Sequence, residues 1–182
     1  MAQTNAPAPG PGGQNGQSST SGQKSSVDLR LYLTYVDPNG NALNNAHTKS
    51  LTSAAKVAWS GTFGNYVVTA NFHDKNATQV VVTLDPKGGV SNTNTLGGNS
   101  VHLFEGGYQR GNGPITTYTP ATLRTTFDHE IGHVLGAKDQ YNGSNGVAFP
   151  NHARDIMGSV QVGNRSLGTT VREILIFNGE TP

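Results

Sequence analysis

Between Asp128 and Gln140 the chain reads Asp-His-Glu-Ile-Gly-His-Val-Leu-Gly-Ala-Lys-Asp-Gln, which sets His129, Glu130 and His133 in an H-E-x-x-H pattern followed by Gly136 and Asp139. On a helix, residues four apart lie one turn above each other, so the two imidazoles can reach one metal ion. Glu130 borders the same face one step round, where a carboxylate can take a proton from water on the ion without becoming a ligand. Gly136 allows the chain to leave the helix through a left-handed turn. A reversal there brings Asp139 back as third ligand and leaves a fourth position for water, which separates a catalytic zinc site from a structural one. His152 is the rival third ligand. The offset of Asp139 is fixed by the turn at Gly136, whereas His152 needs a long excursion, so Asp139 is preferred. Tyr141 either hydrogen-bonds a developing oxyanion or packs over the metal. At this chain's own His and Glu frequencies a chance H-E-x-x-H has a probability of roughly half a per cent, so the flanking residues matter as much as the motif.

Those side chains need a helix to hold them. Thr119-Pro120 supplies an N-cap and a proline at the first helical position. Leu123, Phe127, Ile131 and Val134 then form a core-facing stripe, and Thr122, Thr126, His129 and His133 a second, small and polar one that suits a cleft. Downstream, Asp155-Ile156-Met157-Gly158 reads as a tight turn, with Arg154 and Asp155 pairing or capping it.

The run His129-Glu130-x-x-His133-x-x-Gly136-x-x-Asp139, with Met157 in a later turn, resembles the metzincin clan of zinc endopeptidases. Its aspartate in third place is most similar to the snapalysin-like branch, where most of the clan has histidine. The motif match covers Thr119 to Ser159; upstream only the order of expected elements agrees. The resemblance implies that Met157 forms an apolar floor beneath the metal. It also implies that the last strand before the helix, Ser100 to Glu105, is a sheet edge on which an extended peptide pairs, with Ser100, Val101, His102 and Leu103 as substrate-binding residues. An ordinary internal strand is the alternative.

The remainder of the chain supplies a frame. Val27, Leu29, Leu31, Leu33 and Tyr35 alternate with polar neighbours as one half-buried strand, ended by the turn Asp37-Pro38-Asn39-Gly40. A helix capped by Asn44 or Asn45 runs to about Trp59, with Leu51, Ala54, Ala55 and Ala58 inward and Gly61 and Gly64 closing it. Strands follow over Tyr66 to Phe72 and Val80 to Leu84, then a polar loop from Asp85 to Asn99 that leaves room for a short irregular strand, and finally a helix with Thr170 and Glu173 as capping box and Gly179 as its end. His47 and His73 read as surface residues and Trp59 as core. The expected fold is α+β: a mixed twisted sheet of four to five strands, a backing helix, the active-site helix, and a small C-terminal part with the methionine turn and last helix.

Composition sets outer bounds. With 182 residues, 34% hydrophobic, the chain is long enough for one packed domain. Its 24 glycines and 9 prolines gather largely in loops and in residues 1–26, read as a flexible tail or linker preceding a domain over 27–182. A formal net charge of +1, with cations scattered singly, gives no footprint for nucleic acid or an anionic membrane. Cysteine is absent, so a metal must be held by histidine and carboxylate. No apolar run approaches membrane-spanning length, and the first residues lack the basic and apolar regions of a signal peptide. The expectation is therefore a monomeric Zn²⁺ endopeptidase acting on a peptide or protein substrate, extracellular or delivered as an effector. A delivered toxin using the same site and a non-catalytic, metal-stabilised binding module are the alternatives.

Overall fold

The alternation from Val27 to Tyr35 persists as burial, with all five of its apolar residues inside. Hydrogen bonding nevertheless divides it into β1 (Ser25–Arg30) and β2 (Tyr32–Val36). At Leu31 the chain exchanges neighbours: the Leu31 N–H donates to the Asn71 carbonyl and the Tyr32 N–H to the Thr78 carbonyl, both at 2.9 Å. A period of two is the same on either side of such an exchange, so the pattern cannot register it. β1 also begins at Ser25, inside the segment read as tail.

The computed structural model describes residues 24–143, 147–158 and 168–180, so the expected tail over 1–23 lies outside the described residues. After β2 come β3 (Ala42–Leu43), α1 (Ala46–Ala58), β4 (Gly61–Phe63), β5 (Tyr66–Asn71), β6 (Gln79–Asp85), β7 (Gly88–Gly89) and β8 (Asn92–Thr93). Then follow β9 (Ser100–Phe104), β10 (Gly107–Tyr108), α2 (Pro120–Leu135) and α3 (Gly168–Phe177). The result is a mixed α+β fold. Its largest sheet has the order β3-β2-β6-β9-β8, with β2, β6 and β9 parallel and the two edge strands antiparallel. A second sheet, β1-β5-β4, and a two-stranded pair, β10-β7, complete the strands. β5 and β6, consecutive in the chain, are not neighbours: β5 pairs with β1, and β6 with β2 and β9.

α1 is capped by Asn45, one of the two expected candidates, and the structure adds a capping box with Thr48. It buries Leu51 and Ala55, along with Thr48 and Thr52, and Thr52 satisfies its hydroxyl on that of Tyr35 at 2.7 Å. Trp59, its C-cap, is fully buried and donates its indole N–H to the Asp128 carbonyl of α2 at 3.0 Å. Gly61 and Gly64, expected only to close the helix, bracket β4, which pairs antiparallel with β5. The last helix also differs from expectation. Thr170 and Glu173 lie inside α3 rather than capping it: Thr170 donates to Asp155, and Glu173 accepts from the Gln140 amide at 3.0 Å. The C-terminal helix is thereby tied to the chain on both sides of the site described next. No helix among the described residues is long and apolar enough to cross a membrane.

Candidate metal centre

α2 starts where Thr119 accepts from the Thr122 N–H at 3.1 Å and Pro120 occupies its first turn. It stops at Gly136, whose φ of 102° is left-handed. There the Ala137 N–H donates back to the Gly132 carbonyl at 2.9 Å, the six-to-one bond of a Schellman turn. A second constraint acts on the same residue, since a Cβ at 136 would meet the Phe177 ring at 2.2 Å. The turn sends Asp139 back over the helix. Its Oδ1 lies 3.0 Å from His129 Nε2 and 3.3 Å from His133 Nε2, and the three ligand atoms converge within 4.8 Å of one another.

Each imidazole is held from behind. His129 Nδ1 is 2.9 Å from the Ile156 carbonyl, and His133 Nδ1 is 2.9 Å from the Ala137 carbonyl. A carbonyl can only accept, so both Nδ1 atoms carry hydrogen and both Nε2 atoms turn toward Asp139. Three electron-rich atoms then face one point, an arrangement that needs protons or a cation between them. Burial opposes a charged His133, but Asp139, the Ala137 carbonyl and Glu130 together raise its pKa. Burial likewise pushes Asp139 up, and the two histidines outweigh it, holding the carboxyl well below its usual range. Ligands 2.0–2.1 Å from a tetrahedral zinc lie about 3.3–3.4 Å apart, close to the observed separations. Two nitrogens and one carboxylate suit zinc or another first-row divalent ion, not calcium or magnesium, which take oxygen ligands. The residues fit such an ion.

Glu130 is buried beside this cluster but outside it. Burial raises its pKa, while His129, His133 and a hydrogen bond from Thr93 oppose the rise. Thr93 Oγ1 lies 3.0 Å from Glu130 Oε2 and 3.0 Å from the Glu130 main-chain carbonyl. On the core side of the helix, Asp128 is buried with no hydrogen-bond partner for Oδ1, and burial pushes its pKa up to about 7 against the pull of Arg124.

The methionine turn supports the site from below. Asp155, fully buried, accepts from the Met157 N–H and from His152 Nδ1, each at 3.1 Å, and from the Thr170 hydroxyl. This fixes the Ile156 carbonyl that orients His129. The capping role expected of Asp155 is met, while Arg154 is exposed. Met157 is fully buried, and its sulfur lies where a Cβ on Gly132 would be only 2.2 Å away. Gly132, between the two histidines, is therefore a close-approach glycine; its cost in a helix interior was a legible signal of such packing.

Other expected site residues fall out differently. His152 pairs with Asp155 and is not in the converging group, so its place is in the turn. Tyr141 reaches the site, with its ring centred 6.0 Å from that of His129. Burial raises its pKa, and so does the nearby negative charge of Asp139. The expected substrate edge requires correction. Ser100, Val101, His102 and Leu103 lie in β9, which is flanked by β6 and β8, and Val101 and Leu103 are fully buried. His102 stacks on Phe104 with centroids 4.2 Å apart and sits 3.3 Å from Asp85, while Glu105 contacts His47. The edge is β8, where Asn92 and Thr93 pair antiparallel with His102 and Val101. A short irregular strand is an option for the Gly/Asn/Thr stretch, but two polar residues carry no alternation by which it could be placed or seen as the edge. The same silence hid Thr93. Comparison with known protein families and with characterised proteins returned no match to this chain.

Proposed function

We propose that the chain is a zinc-dependent endopeptidase of metzincin type. The observation that carries the reading is the convergence of His129 Nε2, His133 Nε2 and Asp139 Oδ1 with both Nδ1 atoms already committed, and with a buried carboxylate, Glu130, next to the cluster but not in it. A structural metal needs no such unattached base. A zinc ion held there would supply Lewis acidity and a water acidified from about 15.7 toward neutrality.

The chain's own residues do the rest. Glu130 Oε2 is occupied by Thr93, so Oε1 is the oxygen that receives a proton from the attacking water and returns it to the leaving amine. Its raised pKa moves it toward the range in which both transfers are feasible near neutral pH. Asp139 would bring negative charge to a bound ion and so temper its Lewis acidity relative to a third histidine, and the Tyr141 ring stands beside His129. A peptide substrate adds as a strand along β8, the edge of the five-stranded sheet.

The test combines metal analysis with cleavage-site profiling on a mixed peptide library, with and without chelator. Glu130→Gln is expected to keep stoichiometric zinc and lose roughly 10²- to 10⁴-fold in kcat; His133→Ala is expected to lose both zinc and activity. Full zinc in the His133 variant, or zinc-loaded wild type that cleaves no peptide, overturns the proposal.

A further inference from the structure

The strand that forms the sheet edge and the carboxylate of the candidate base meet at one side chain. Thr93 lies in β8, paired with Val101, and is half-buried. Its hydroxyl is equidistant, at 3.0 Å, from Glu130 Oε2 and the Glu130 main-chain oxygen. A threonine hydroxyl has one proton to donate, and an ionised carboxylate accepts more strongly than a neutral carbonyl. With Glu130 charged, the bond therefore runs to Oε2. That leaves Oε1 without a hydrogen-bond partner among the described residues.

We infer that Thr93 is a positioning residue for Glu130: it selects which carboxylate oxygen works, and it couples the substrate-binding edge to the base. The inference rests on the proposed endopeptidase reading and deepens it. Three features of the geometry carry it. The Thr93 bond is the only hydrogen bond to the Glu130 carboxylate among the described residues, and a carboxylate that turned to ligate a cation beside it would be lost as a base. The Thr93 bond opposes that turn. The main-chain carbonyl of Glu130, within reach of the same hydroxyl, holds Thr93 to the helix even when the side chain is protonated. And the turn after β8 is itself pinned to α2, where the Gly97 N–H donates to the His133 carbonyl at 2.8 Å. A peptide pairing with β8 thus orders the strand that orders the base, and the effect falls on turnover more than on binding.

The test compares Thr93→Val, which keeps the shape and strand preference and removes the hydroxyl, with Thr93→Ser, which restores it. Circular dichroism and zinc content are read on both. The inference expects Thr93→Val to bind zinc normally and lose roughly ten- to a hundredfold in kcat, with KM within about twofold, and Thr93→Ser to recover most of the loss. A second readout needs no activity: in metal-free protein carrying ¹³C-labelled glutamate, the Glu130 side-chain carboxyl resonance should move in Thr93→Val and stay in Thr93→Ser. Unchanged kcat in Thr93→Val, a loss confined to KM, or a serine variant as impaired as valine overturns the inference. Should zinc-loaded wild type cleave no peptide, the proposed function falls. The carboxyl resonance then still decides whether Thr93 holds the carboxylate, and an unmoved resonance in Thr93→Val overturns that too.

Discussion

The segment from Asp128 to Asp139 and the segment from Asp85 to Phe104 both border the candidate site, yet they are built on different principles. In the first, the convergence of the three candidate ligand atoms is set up by rules that act over a few residues: a helical turn separates the histidines, and a left-handed glycine returns Asp139. In the second, the outcome depends on which strands pair across the sheet. β9 has the alternation of a strand and none of the freedom of an edge, because two residues with no strand signal cover it. The approximate meeting of the three side chains is thus written locally, although the orientation of His129 depends on the distant Ile156 carbonyl, whereas the sheet edge is a property of the assembled sheet.

The largest expected effect probes the helix's hidden face. Asp128 titrates near 3.9 in an unfolded chain and near 7 when folded, so the folded state binds the extra proton between those values. The contribution of Asp128 to stability should therefore be greatest below about pH 4, fall as pH rises to about 7 and level off above it. The drop is on the order of 4 kcal/mol at about 1.4 kcal/mol per pKa unit. Asp128→Asn should flatten that decline in denaturant titrations across pH; an unchanged slope would show that the buried carboxyl finds a partner in solution.

Next comes the close approach within the motif. Gly132→Ala places a methyl 2.2 Å from the Met157 sulfur and 2.9 Å from the Trp59 ring. About 1–3 kcal/mol of stability should be lost, seen as a lower Tm, together with weakened zinc binding as α2 moves off the methionine turn. A variant as stable as wild type would show that the turn is not packed against the helix as described.

Asp155→Asn tests support for the ligands from outside the local segment. With the buried carboxylate gone, the Met157 N–H, His152 and Thr170 contacts weaken and the Ile156 carbonyl is freer to leave His129. Zinc affinity by competition titration should fall about 10- to 100-fold, or about 1.4–2.7 kcal/mol. The smallest effect sharpens the other half of the comparison. If β9 is internal, His102→Ala should change KM on peptide substrates by less than about twofold, in the range of an ordinary surface change; a large rise in KM would return the edge to β9.

What could be read from the chain alone follows from the range of the forces involved. The bounds of α1 and α2, a cap at Asn44 or Asn45 and one at Thr119, the Gly136 turn and the convergence of His129, His133 and Asp139 are consequences of backbone geometry over one or two turns, and the residue types declare them. Asp155 as the cap of the methionine turn was legible for the same reason. The division of the first strand at Leu31, the covering of β9 by β8, the Thr93–Glu130 bond and the orphaned Asp128 oxygen were not. Each joins, or fails to join, residues far apart in sequence. A polar side chain carries no mark of the partner it will meet, because burial and pairing are decided only when the sheet and the helices close on one another.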